Sequence, residues 1–180
     1  MLNQLQEQFN KEIAKKLQQE LGIKNVHAVP ALKKIVINMG VKDALADKKN
    51  IERGAEIMAQ IAGQKPKVMK SKKSISSFKL REGDQIALMV TLRGKRMYDF
   101  YQKLTTIVFP RFRDFHGVKK ESFDGHGNYT LGFTESTVFP EIDPSKIDRI
   151  QGLEISIVTT AGNNENGFKL LQALGMPFKK

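Results

Sequence analysis

Leu5, Phe9, Ile13, Leu17 and Leu21 follow Leu2 at intervals of three or four residues. That spacing lays one apolar stripe along a helix from about 2 to 21, with Gly22 where a C-terminal cap belongs. The stretch KKIVINMG (33–40) changes period. Ile35, Ile37 and Met39 alternate with Lys34, Val36 and Asn38, the mark of a strand with one apolar side. Asp47 is placed to cap a helix carrying Ile51, Ala55, Met58 and Ile61 or Ala62 on one face, which Gly63 stops. QIALMVTLR (85–93) alternates again, with Ile86, Leu88, Val90 and Leu92 against Ala87, Met89, Thr91 and Arg93. A helix with Met97, Phe100, Tyr101 and Leu104 follows Gly94 and is expected to end before Pro110. NYTLGF (128–133) and LEISIVTT (153–160) complete the strands, and residues 164–174, with Phe168, Leu171 and Leu174, form a closing helix.

With a short strand at about 66–70, the order is helix, strand, helix, strand, strand, helix, strand, strand, helix. This predicts an α+β fold, a mostly antiparallel sheet with helices packed on one face. Without internal repeats or a long linker, residues 1–180 are expected to form a single domain. Fourteen residues, 71–84, have little periodicity of their own, and Ser71, Ser74, Ser76, Ser77, Gly83 and Asp84 suit a protruding loop. Loops of that length in a compact domain are functional or disordered.

Charge changes the picture at that loop. KPKVMKSKKSISSFKLR (65–81) has seven Lys or Arg and no acid, against a net charge of +11 for the chain. Residues 1–90 hold 17 basic and 9 acidic side chains and residues 91–180 hold 13 and 10, so the excess is local and points to a polyanion. Hydrophobic residues at 40% and charged residues at 27% are those of a globular chain.

Candidate catalytic chemistry is thin. There is no cysteine, which removes disulfides, thiolate metal sites and cysteine nucleophiles. His27, His116 and His126 stand apart, without the spacing that sets two metal ligands on one helix face, so no metal or other cofactor is expected. No GxxxxGK[ST] loop or GxSxG elbow occurs, and the glycines of DGHGNYTLG (124–132) fit a turn leading into a strand. Neither a signal peptide nor a run of about 18 apolar residues is present, so no membrane partner and a cytoplasmic location are expected.

Nucleic acid is the better-supported partner. Lys and Arg neutralise phosphates, and Phe78 offers an apolar surface to a sugar or base. Asn38, Thr91 and Arg93 lie opposite the apolar rows of their strands, where hydrogen-bonding side chains on an open sheet suit RNA. The RNP1 aromatic pattern of an RRM is missing. In IVFPRFRDFHGVKK (107–120), Phe109, Phe112 and Phe115 are read as anchors of a long loop, with Arg111 and Arg113 exposed.

KKIVINMG, IAGQKP (61–66), VTLRGKRMYDF (90–100) and FPEI (139–142), in this order behind a helical N-terminus, closely resemble the bacterial large-ribosomal-subunit family that binds 5S ribosomal RNA, the fifth of the large-subunit series. The resemblance covers essentially the whole chain. It implies contacts to 5S rRNA at Asn38, Met39, Gly40, Gln64, Lys65, Thr91, Leu92, Arg93 and Gly94. It further implies a loop reaching the peptidyl-site tRNA, here Lys70, Ser71, Lys72, Lys73, Ser74, Ser76, Phe78 and Lys79. A segment with Pro110, Arg111, Phe112, Arg113 and His116 resembles the part facing a small-subunit protein across an intersubunit bridge. 23S rRNA and neighbouring large-subunit proteins are the remaining implied partners. Lys42 departs from the family, where Gly commonly follows MGV. The alternative of a different class is an RNA-acting enzyme or ribosome assembly factor using the same basic surface.

Overall fold

The computed structural model describes residues 4–45, 47, 49–112, 115–146 and 151–179. The N-terminal stripe forms helix α1, composed of α-helical Gln4–Gln8, a π-helical turn Phe9–Ile13 and α-helical Ala14–Glu20. Leu2 lies outside the described residues. Phe9 and Leu17 are buried, and the Phe9 ring sits 6.4 Å from that of Tyr98. Gly22 adopts φ 64, the left-handed conformation that ends a helix cheaply when the residue lacks a Cβ.

Strand β1, Leu32–Gly40, buries Ile35, Ile37 and Met39 and leaves Lys34, Val36 and Asn38 half-buried, as the alternation requires. A 3-10 turn over Lys42–Leu45 leads to helix α2, Lys49–Ala62. Asp47 caps its start: Oδ1 accepts from the Lys49 amide at 2.9 Å, and the Asp47 carbonyl accepts from the Asn50 amide at 3.1 Å. Buried Ile51, Met58 and Ile61 form its inner face. Gly54 lets this helix close on the strands, because a Cβ there would lie 3.0 Å from Leu88 Cδ1 and 3.7 Å from Met39 Sδ.

Strand β2, Lys67–Lys70, pairs antiparallel with β3, Gln85–Leu92, in the register Lys67 with Met89, Val68 with Leu88 and Met69 with Ala87. An irregularity between Met69 and Lys70 then joins Lys70 to Gln85. Helix α3, Gly94–Lys103, runs into a π turn, Leu104–Val108, and a 3-10 turn, Phe109–Arg111. The helix and its π turn thus end before Pro110, as expected. Proline opens a new helical turn without loss, since an N–H is not needed there.

Strands β4, Tyr129–Phe133, and β5, Leu153–Thr159, precede helix α4, Asn164–Ala173, whose start is capped by Asn163 Oδ1 accepting from the Asn166 amide at 2.8 Å. The five strands form one antiparallel sheet in the order β2-β3-β1-β5-β4. This is the α+β architecture that the periodicity predicts. Two compact units divide the chain, one of residues 1–35, 92–131 and 156–180 and the other of 36–91 and 132–155. The first has a core including Leu17, Tyr101, Tyr129 and Leu171, and the second one including Ile37, Met39, Met58, Leu88 and Phe139. Each such side chain contributes about 1.5–3 kcal/mol by leaving water. In the first unit the Tyr101 hydroxyl donates to the Leu171 carbonyl at 3.4 Å, and burial pushes its pKa far up, so the phenol stays neutral.

Candidate nucleic-acid interface

The second unit presents two polar surfaces, and strand geometry defines the first. Met39 and Leu88 face Gly54 on α2, so side chains one residue away point to the other side of the sheet. That open side carries Asn38 from β1 and Ala87, Met89 and Thr91 from β3, all half-buried. The β2–β3 register adds Lys67, paired with Met89, and Met69, paired with Ala87. Lys67 is the residue that sequence reasoning left out of the site. Its signal is the pairing register, a tertiary fact that strand alternation alone cannot supply.

The other predicted positions differ in exposure. Gly40 ends β1 exposed, Lys65 is exposed, and Gln64 is half-buried in the turn between α2 and β2. Met39 and Leu92 are buried side chains, so only their backbone is available to a ligand. Arg93 is exposed with an extended backbone (φ −139, ψ 163), and it precedes Gly94 at the start of α3.

The second surface is residues 70–84, and it is ordered by its own hydrogen bonds. The Ser71 amide donates to the Asp84 carbonyl at 2.8 Å, and the Ser71 carbonyl accepts from the Gly83 amide at 3.0 Å, which closes the base. Ile75 and Leu80 pair further out in an isolated antiparallel bridge. Between them runs a 3-10 turn, Ser76–Phe78. Two of the predicted contact serines serve this scaffold: Ser71 Oγ donates to the Lys73 carbonyl at 2.7 Å, and Ser74 Oγ accepts from the Glu82 amide at 2.9 Å. Lys70, Lys72, Lys73, Ser76, Phe78 and Lys79 are exposed, with Phe78 showing 71% of its surface.

In the first unit, Phe109 is buried and its ring stacks on Phe115 at 5.1 Å, while Phe112 lies 6.3 Å from Phe115. Phe109 thus anchors the segment, and the half-buried Phe112 and Phe115 stack beside it. Pro110, Arg111 and His116 are exposed, Phe112 is half-buried, and Arg113 lies outside the described residues. The C-terminal residues fasten the chain just beyond His116: the Val118 amide donates to the Pro177 carbonyl at 2.8 Å and the Lys179 amide to the Val118 carbonyl at 2.9 Å. Gly117, at φ 96, passes so close that a Cβ would lie 2.6 Å from the Lys179 nitrogen.

The DGHGNY glycines do form a turn. Asp124 Oδ2 accepts from the Asn128 side chain at 2.6 Å, which holds the Asp124 carboxyl below its usual range. Asn164 Oδ1 accepts from the Gly125 amide at 2.9 Å, tying the turn to the start of α4. Among the described residues, no group of three or more His, Asp or Glu is placed to hold a metal ion, and no helix is long and apolar enough to cross a membrane.

Fold and surface together define a class: an α+β protein with five antiparallel strands, a polar open sheet face and a cationic, internally bonded loop. Two family models match, one described as ribosomal protein L5 over residues 25–81 and one as the ribosomal L5P family C-terminus over residues 85–178. The large ribosomal subunit proteins uL5 of Mesoplasma florum and Streptococcus sanguinis are each 52% identical to this chain over 180 residues, the whole length of both partners in each comparison. That of Streptococcus agalactiae serotype Ia is 51% identical over the same span. The chain belongs to the ribosomal protein L5 family.

Proposed function

We propose that this chain, acting as one domain over residues 1–180, holds 5S rRNA in the central protuberance through the open sheet face of Asn38, Thr91 and Lys67 and the flanking Gly40, Gln64, Lys65, Arg93 and Gly94. The 70–79 loop meets the peptidyl-site tRNA, and the segment with Pro110, Arg111, Phe112, Arg113 and His116 faces a small-subunit protein. As a member of its family, the chain is a structural protein of the large ribosomal subunit in the cytoplasmic ribosome, among rRNA and neighbouring ribosomal proteins, and it is not an enzyme.

The observation that supports 5S rRNA as the ligand is the open face itself. Asn38 and Thr91 put amide and hydroxyl groups on the side of the sheet away from α2, and such groups recognise sugar, phosphate and 2′-hydroxyl. The test is direct binding to isolated 5S rRNA, expected to be stoichiometric and to leave the RNA unchanged. For about five phosphate contacts, log affinity falls against log salt with a slope of about −3 to −5. A flat salt response contradicts the reading.

A further inference from the structure

The base of the 70–84 loop, together with the turn after β1, lines a half-open cavity of about 530 Å3. Lys70, Lys79 and Arg81 line it, with Asp84, Gln85 and Leu45. Among the described residues none of the three cations has an ion-pair partner. Lys79 is also the one described non-glycine residue with positive φ, at 51°. Holding an L-residue there costs about 1–2 kcal/mol, a cost that accumulates at sites where a group must be aimed.

The rest of the lining is not that of a bare anion site. Leu45 leaves 43% of its surface open, an apolar surface against which a ribose or base can pack. Asp84 is fixed, with Oδ2 accepting from the Arg81 amide at 2.8 Å, and the carboxylate remains able to accept from an exocyclic amino group. The Gln85 amide offers both donors and an acceptor. The volume falls in the range of about 300–1,000 Å3 that small-molecule sites occupy.

We infer that this cavity seats one unpaired ribonucleotide of a bound RNA, its phosphate among Lys70, Lys79 and Arg81, its base against Leu45 and its polar edge toward Asp84 and Gln85. The inference rests on the reading of this chain as an RNA-binding protein, and it adds a specific pocket to a loop otherwise read as a cationic surface.

The full-length protein is titrated with each of the four ribonucleoside 5′-monophosphates and with inorganic phosphate while the amides of Leu45, Gly83 and Gln85 are followed by NMR. Saturable shifts are expected, at least about fivefold tighter for one monophosphate than for inorganic phosphate, and lost in Arg81→Met. Because the chain has no cysteine, Leu45→Cys capped with N-ethylmaleimide fills the cavity from an exposed position. Capping is expected to weaken binding of a single-stranded octaribonucleotide about tenfold, or about 1.4 kcal/mol, and to leave a blunt RNA duplex of the same sequence unaffected. Equal affinity for inorganic phosphate and the monophosphates, or binding of single strands that ignores the cap, overturns the seat. The parent protein's affinity for 5S rRNA is measured alongside. Its loss would sink the proposed function while leaving the nucleotide titration to decide the cavity.

Discussion

The open sheet face and the cationic loop belong to the same compact unit, yet they are made differently. On the sheet, polar groups are few and their direction is imposed by strand alternation over a packed core: Asn38 points away from α2 because Met39 points toward it. In the loop, cations are many, and backbone and serine hydrogen bonds hold the chain that displays them. The sheet therefore suits recognition by fixed hydrogen bonds, whose loss is costly. The loop suits electrostatic attraction, which is graded and sensitive to salt.

The largest expected effect comes from the sheet. Asn38→Ala combined with Thr91→Ala is expected to weaken 5S rRNA binding by about 2–4 kcal/mol, at about 1–2 kcal/mol for each lost partner, without altering the slope of affinity against salt. Fluorescence anisotropy at several salt concentrations measures both quantities. Replacing Lys70, Lys72 and Lys73 together by Met is expected to do the reverse. 5S affinity stays within about twofold, while crosslinking to tRNA on assembled ribosomes falls severalfold, because each lost phosphate contact removes about 0.7–0.9 from the salt slope. Strong loss of 5S binding in the triple variant would show that loop and sheet serve the same RNA.

Lys67→Met is the intermediate case, a cation on the hydrogen-bonding face. It is expected to reduce 5S affinity about threefold and to flatten the slope by about one contact. The smallest effect sharpens the picture of the loop alone. The amides of Ser71, Ile75, Leu80 and Gly83 are expected to exchange with solvent more slowly than coil amides, since each donates to a backbone carbonyl. Ser74→Ala is expected to speed exchange at Glu82 without changing the global unfolding transition. Coil-like exchange throughout the parent loop would contradict its internal order.

The same two regions show how far the sequence could be read. Alternation in KKIVINMG and QIALMVTLR assigns Asn38 and Thr91 to an open face, because a period of two on a half-buried strand has one solution once the core side is known. The cap at Asp47 and the stop at Gly63 are equally local. Lys67 is not local, because its place depends on which β3 residue it opposes. The hydrogen bonds that order residues 71–84 close between positions up to 13 apart, from Ser71 to Asp84, and leave no periodic trace. Gly54 reads as a weak point in a helix until Leu88 is seen 3.0 Å from its missing Cβ. The π turns in α1 and after α3 keep the apolar spacing of an ordinary helix and so escape it as well. Assignment of particular RNAs to sheet and loop comes from the family resemblance, since charge and alternation say only that a polyanion is met.

The most direct test of that assignment is a chemical footprint on isolated 5S rRNA, taken with the parent protein, the Asn38/Thr91 double variant and the Lys70/Lys72/Lys73 triple variant at one salt concentration. A single set of protected nucleotides is expected, retained by the triple variant and lost by the double variant. Protections that persist in the double variant and vanish in the triple would contradict that assignment, placing 5S rRNA on the loop rather than on the sheet.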